Sequence, residues 1–272
     1  MKSVAFGQYY PAESLLHRLD PRMKIILTIL YIVCSFLCKN VLSYAVLAAS
    51  AIILILMAKI PLKIVFKGLK AVVFVLLFTS VLNIFWTKGD VPLVSWNFIQ
   101  IYPEGIYAAI FIIIRIISLI IGTGVFLTYT TTPIALTDAI EDLLSPLKKL
   151  HVPVHDFAMM MTIALRFIPL LVEETDKIMT AQKARGADFS SGGIVQRVKA
   201  LIPVIIPLFA SAFNRAGDLA IAMECRCYHG GEGRTRMTVR RIHIRDFVVL
   251  FAVIALGASL IALNILSFGF TM

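Results

Sequence analysis

Charge is scarce in this chain, and acid is scarcer than base. Only 15% of its 272 residues are charged and 59% are hydrophobic, with 26 Lys and Arg against 16 Asp and Glu and a mean hydropathy of +0.89. A soluble domain carries about 25% charge and about 45–50% apolar residues. A water-soluble fold is therefore excluded, and the chain belongs in a bilayer, where backbone polar groups have to be satisfied inside helices or a closed barrel. Cysteine is scarce too. Cys34 and Cys38 lie in an apolar run, and Cys225 and Cys227 flank one arginine, so there is no disulfide framework. No Gly-Lys pair occurs anywhere, which excludes a phosphate loop; Gly230-Gly231-Glu232-Gly233-Arg234-Thr235-Arg236 resembles one only in its glycines. A nucleophile elbow is also lacking. Cys225, Cys227 and His229 lack the fourth ligand and wider spacing of a tetrahedral metal site, so no metal is expected. Asp138, Glu141 and Asp142 share a helical turn and read as a solvated or partner-facing surface rather than a catalytic pair. The chain is expected not to be an enzyme and to bind no cofactor of its own. Intramembrane charge is confined to Arg115, without the paired carboxylates of a proton-coupled transporter.

Long apolar runs are what the chain has instead. A spanning helix needs about 20 apolar residues. Five stretches meet or approach this, at residues 24–39, 41–58, 71–87, 106–131 and 247–268. Residues 1–20 are too polar for a signal peptide, so the first span is expected to be kept. Lys and Arg orient the bundle. Arg18, Arg22 and Lys24 precede the first span, Lys59, Lys63, Lys67 and Lys70 follow the second, and a large basic set lies between spans four and five. Only Lys39 and Lys88 fall in loops assigned to the outside. This arrangement predicts a cytoplasmic N-terminus and an external C-terminus, with Trp86 and Trp96 at the outer interface. The formal charge of +10 is accounted for by these loops, which excludes nucleic acid as a partner and points to the lipid bilayer. The four lysines after span two share one helical face, as expected for an anchor on anionic lipid. Arg115, inside span four, costs at least about 2.5–3.5 kcal/mol at mid-bilayer. It reads as an intramembrane structural lock, for instance to backbone carbonyls.

Residues 132–245 form a different region. Its apolar runs, 157–172 and 201–213, are broken by Arg166 and Pro169 and by Pro203 and Pro207, and neither makes a convincing span. Thr162, Arg166, Glu173, Lys177 and Thr180 recur at helical steps on one face of an amphipathic helix. The pattern predicts a short helix opened by Thr132-Pro133, a helix over 154–184, a loop at Ser190-Ser191-Gly192-Gly193, and a helix over 194–228 kinked at Pro203 and Pro207. The two long helices end alike. Ala184-Arg185-Gly186 and Cys225-Arg226-Cys227 each set an arginine between small residues, followed by a helix stop at Gly186 in the first and at Gly230 and Gly231 in the second. Arginine offers a rigid, always charged fork of donors suited to carboxylates and helix-end carbonyls. A single such residue could simply favour its own helix dipole, worth about 0.3–1 kcal/mol. Two copies in matching contexts favour two matching sockets on partners. The expected fold is an all-α integral membrane protein, with a four-span bundle over 1–131, a platform of long amphipathic helices over 132–245, and a C-terminal transmembrane helix over 246–272.

Several segments carry a family resemblance. Thr131-Thr132-Pro133, Leu165-Arg166-Phe167-Ile168-Pro169, Lys183-Ala184-Arg185-Gly186-Ala187-Asp188, Ala222-Met223-Glu224 with Arg226, and His17-Arg18-Leu19-Asp20-Pro21-Arg22 resemble the T component of energy-coupling factor transporters, EcfT, in its shared-module Gram-positive form. The resemblance implies a coupling subunit of a vitamin or micronutrient importer in the bacterial cell membrane. It implies two ATP-binding cassette ATPases, which carry the ATP and Mg and dock on Arg185 and Arg226 with their flanking residues. It also implies one exchangeable substrate-binding S component, seated on the platform near Met159, Met160, Met161, Leu165 and Pro169. The family has Ala-Arg-Gly where this chain has Cys225-Arg226-Cys227, so a pair of non-identical ATPases is expected. The competing readings are a stand-alone secondary transporter and a conventional ABC permease.

Overall fold

The computed structural model describes residues 9–87, 94–96, 99–150, 152–189, 191, 193–230 and 242–266. The elements are α1 (Pro21–Phe36), α2 (Val41–Ala58), α3 (Leu62–Trp86), a two-strand antiparallel ribbon of β1 (Val94–Trp96) and β2 (Ile99–Ile101), α4 (Pro103–Thr123), α5 (Pro133–Leu143), α6 (Val154–Ala184), α7 (Ile194–Glu224) and α8 (Ile244–Leu266). A π-helical turn, Gly124–Thr128, extends α4, and a 3-10 helix, Ser145–Leu150, follows α5. This is an all-α multi-pass membrane protein. Its described residues divide into two compact units, one holding 9–136 and 242–266 and the other 137–230.

The first unit packs α4 against α1, α2 and α3, and α8 against α1 and α2. Its core runs through Leu27, Tyr31, Leu47, Val125, Phe126 and Leu260, each at most 1% exposed. Tyr31 passes so close to α4 that a Cβ on Gly122 would overlap its ring. At one end of this unit the sequence places charges that burial must satisfy. The Asp20 side chain caps α1 by accepting from the Arg22 amide, and Pro21 takes the first helical position, where no donor is needed. Lys24, 1% exposed, donates to the Thr130 carbonyl at 2.8 Å. Asp246, also 1% exposed, accepts from the Asp20 amide at 2.9 Å and the His243 amide at 2.7 Å, tying the starts of α1 and α8 together. Arg115 donates to the Cys38 carbonyl at 3.0 Å and to the Tyr44 hydroxyl, with its guanidinium over the Tyr44 and Phe36 rings.

The spans differ in detail from the expectation. Among the described residues five helices are long and apolar enough to cross a membrane, or six if bent α3 is one span. Among them are α2, α4 with its π turn, and α8, with mean hydropathies of 2.5, 2.6 and 2.6. The expected span at 24–39 is a helix of only 16 residues, short of the roughly 20 a span needs. The span expected at 71–87 is the apolar half of α3, bent by 58° from the lysine-bearing half Leu62–Lys70. α6 and α7, not expected as spans, are also long and apolar enough, at a mean hydropathy of 1.4. Each carries a long apolar stretch, although charges interrupt both helices.

Candidate functional site

The second unit is built on α6 and α7, which lie antiparallel. Near one end Gln182 donates to the Pro203 carbonyl at 3.4 Å, and further along Arg215 pairs with Glu174 at 3.0 Å. The partner's residue number rises as the other falls, which is the antiparallel sense. Ile163, Phe167 and Leu171 recur every four residues and share a cavity of about 250 Å³ with Ala212, Ala216 and Ala220, also spaced by four. Side chains four apart stack on one helical face, so large residues of α6 meet small residues of α7. Pro203 and Pro207 sit inside α7 without ending it. Because proline has no N–H, Pro207 leaves the Pro203 carbonyl without its intrahelical donor, and the Gln182 amide takes that place.

The two arginine motifs fold into the same hydrogen-bond pattern. At the end of α6, the Gly186 amide donates to the Lys183 carbonyl at 3.0 Å, and the Ala187 amide to the Gln182 carbonyl at 3.0 Å. At the end of α7, the Cys227 amide donates to the Glu224 carbonyl at 2.8 Å, and the Tyr228 amide to the Met223 carbonyl at 3.1 Å. Both are Schellman ends, in which a left-handed residue turns the chain and returns two amides to the last carbonyls. The left-handed residue is Gly186 at φ +87° in the first and Cys227 at φ +54° in the second. The stop of α7 is therefore Cys227, and the expectation that Gly230 terminates the helix is corrected; Gly231 lies outside the described residues. The helix ends at Glu224 rather than 228 because the left-handed turn intervenes. A residue with a side chain pays about 1–2 kcal/mol to adopt this conformation, which glycine adopts freely.

Ala184, Arg185, Gly186, Cys225, Arg226 and Cys227 are all exposed. Neither guanidinium has an ion-pair partner among the described residues. Each projects at a helix C-terminus, where carbonyl dipoles favour a cation. Antiparallel packing sends the two arginines to opposite ends of the pair. With Met223 beside the Ile163 cavity and α6 running on to Ala184, they lie on the order of 35 Å apart at 1.5 Å rise per residue. The loop after the first motif is held by Asp188, which accepts from the Ser191 amide and hydroxyl at 3.2 and 2.5 Å. α7 starts at Gly193, whose amide donates to the Gln196 side chain at 3.2 Å.

Of the residues expected under a partner, Met160 and Met161 are 58% and 40% exposed, Pro169 is exposed, and Met159 and Leu165 are half-buried. A further apolar surface of this unit lies on α7. Val198, Ile202, Ile205, Phe209 and Phe213 form an exposed stripe on α7 at steps of three and four, with Val195 and Ile206 beside it. That periodicity is present in the sequence and would have found it. The Glu174–Arg215 and Gln182–Pro203 contacts have no local signal. Among the described residues no group of three or more His, Cys, Asp or Glu could hold a metal.

Comparison with known proteins identifies the family. The family model described as cobalt transport protein, CbiQ, matches residues 12–239. The chain is 54% identical over 249 residues to the energy-coupling factor transporter transmembrane protein EcfT of Ruminiclostridium cellulolyticum, covering 92% of each chain. It is 49% identical over 257 residues to that of Clostridium kluyveri, covering 94% of this chain and 95% of the relative. It is 47% identical over 264 residues to that of Bacillus subtilis, covering 97% and 99%. The chain, which holds a multi-pass helical bundle and a hairpin of two long helices with matched ends and is similar over nearly its whole length to these proteins, belongs to the EcfT family of transporter transmembrane components.

Proposed function

We propose that this chain is the coupling subunit of an importer driven by two separate ATP-binding cassette ATPases. One ATPase docks on Arg185 between Ala184 and Gly186, and the other on Arg226 between Cys225 and Cys227. The observation that carries this reading is the duplicated Schellman end, which presents an unpaired, exposed arginine twice in one local geometry. Lack of a Gly-Lys pair assigns ATP and Mg to the partners. The different left-handed residues, glycine and cysteine, favour two non-identical ATPases. The apolar stripe of α7 with Met159, Met160, Met161, Leu165 and Pro169 of α6 seats a substrate-binding S component, and adaptable methionines suit a surface that exchanges partners. The cargo is a vitamin or another micronutrient, such as the cobalt named in the family description. ATPase closure moves the two ends, and the Glu174–Arg215 and Gln182–Pro203 links carry that motion between α6 and α7.

In this reading the chain lies in the bacterial cell membrane with its N-terminus cytoplasmic and its C-terminus outside. α6 and α7 lie on the cytoplasmic side. Supporting this, the charge-free run of α7 between Lys199 and Arg215 covers only the 15 residues 200–214, short of the roughly 20 a span needs. The test is uptake and ATPase retention by the assembled complex. If docking buries each arginine against carboxylates, Arg185→Ala or Arg226→Ala costs about 3–5 kcal/mol, about two to four decades of affinity. Both positions are exposed, so helicity by circular dichroism stays unchanged. Undiminished uptake and ATPase retention in both variants contradicts the proposal.

A further inference from the structure

We infer that the membrane unit holds a binding site for one anionic glycerophospholipid, formed by α1, α2, α8 and the segment preceding α1. An apolar slot of about 330 Å³ runs between these elements, with Leu16, Tyr31, Leu54, Val249, Val253 and Leu256 in its wall. Its hydroxyls, Tyr31 and Ser50, lie 3.3 Å apart and bond to each other. Such a wall offers water few partners, and dry apolar cavities accept hydrocarbon instead. The slot has room for about ten methylene groups if each takes roughly 30 Å³, the share of one liquid water.

The slot continues into a polar mouth. Leu15, Met57 and Arg245 line both it and a second cavity of about 600 Å³, whose other walls are Glu13, Ser14, Arg18 and Lys59. Three cations face one carboxylate there. Arg18 lies 3.5 Å from Glu13 in an exposed pair, while the Lys59 ammonium and the Arg245 guanidinium have no ion-pair or hydrogen-bond partner among the described residues. Lys59 is also held in the left-handed region, at φ 53° and ψ 36°, as the cap of α2. Glycine fills such a cap at lower cost. A strained residue persists where the surrounding structure and its role hold it, and here the strained residue brings a cation to the mouth of an apolar slot.

An apolar slot opening on unpaired cations matches an amphiphile with a negative head. A phosphodiester headgroup at Lys59 and Arg245, with one acyl chain in the slot, satisfies both halves at once. Leu15, Ile53 and Val248 are 43%, 54% and 62% exposed around the slot, as expected where the rest of a lipid lies against the protein. This differs from a diffuse basic anchor, which attracts anionic lipid without a pocket for its chain.

The test uses the full-length chain in mild detergent, titrated with phosphatidylglycerol or phosphatidylcholine of equal chain length, with retained lipid counted by native mass spectrometry. One phosphatidylglycerol is expected to be held at least tenfold more tightly than phosphatidylcholine. Lys59→Gln with Arg245→Gln lowers its retention about thirtyfold, the scale of losing two surface charges against an anionic headgroup. Ala252→Trp, which fills the slot from α8, lowers retention of both lipids. Glycerol phosphate, which has a head and no chain, does not compete. Equal retention of the two lipids, unchanged retention in the Lys59→Gln, Arg245→Gln variant, or full competition by glycerol phosphate overturns the inference. The two charge positions are exposed, so that variant folds and decides the matter if Ala252→Trp does not.

Discussion

The ends of α6 and α7 share their hydrogen bonds and differ in the residue that makes them possible. Gly186 turns the first end without conformational cost, and Cys227 turns the second against a side-chain penalty. The first is also tied down by Gln182, which bonds across to α7, and its following loop is stapled by Asp188 and Ser191. The shared geometry therefore resides in the two returned amides and not in any one residue type. A Schellman end tolerates cysteine when the helix before it already sets the register, and cysteine leaves the arginine between small neighbours. The exposed thiols then make the second end chemically distinct from the first.

That contrast can be broken most strongly at the left-handed positions. Gly186→Val is expected to destabilise the end of α6 by about 1–2 kcal/mol, because a β-branched residue is strained there. Cys227→Val is expected to cost less, since the α7 end already carries the side-chain penalty. Hydrogen exchange at the amides of residues 186 and 187, and of 227 and 228, reads both local openings. Equal losses at the two ends contradict the difference. In the opposite direction, Cys227→Gly should slow exchange at residues 227 and 228, by an amount on the order of 0.4–1 kcal/mol, the scale of backbone substitutions of this kind. A smaller effect tests the link between the helices. A double-mutant cycle of Glu174→Gln and Arg215→Met, followed by thermal unfolding, should give a coupling of about 0.2–1 kcal/mol for this partly exposed pair. No coupling would leave Gln182–Pro203 as the remaining polar link described between the two helices.

The smallest effect lies outside the platform and serves as a reference. Burial lowers the pKa of His17 from 6.5, helped by the charge of Lys24 and partly opposed by its bonds to the Tyr10 and Tyr129 backbone. The folded state then binds this proton more weakly than the unfolded chain. The contribution to stability is present above pH 6.5 and is lost as pH falls from there through the folded value. Thermal unfolding of His17→Gln should show a shallower decline between pH 7 and 5 than the parent chain.

Local patterns were readable without coordinates. The bounds of α6 match the expected 154–184, because Pro153 precedes it and a glycine follows. The short helix begins at Pro133 as its Thr-Pro signal implied. α7 was expected to run to 228, because a cysteine in a left-handed turn has no strong sequence signature. Asp246 and Lys24 were not recognised as buried, since their partners lie 226 and 106 residues away. Gln182 and Arg215 were missed for the same reason, as only the antiparallel packing of α6 and α7 brings them to their partners. α1 shows the opposite limit. Its apolar run reads as a span to residue 39, yet the helix stops at Phe36, with Leu37 capping it and Asn40 leading into α2.

Thiol footprinting tests the central claim most directly, that an ATPase docks on each of the two ends. Cys225 and Cys227 are exposed and free, while Cys34 and Cys38 are buried. Maleimide labelling of the chain alone should modify Cys225 and Cys227, and labelling of the assembled complex should modify them at least tenfold more slowly. Ala184→Cys, placed in a chain with Cys225→Ala and Cys227→Ala, reports the other end in the same way. Protection at both ends on assembly with the ATPases is the expected result; labelling at either end that assembly leaves unchanged contradicts it.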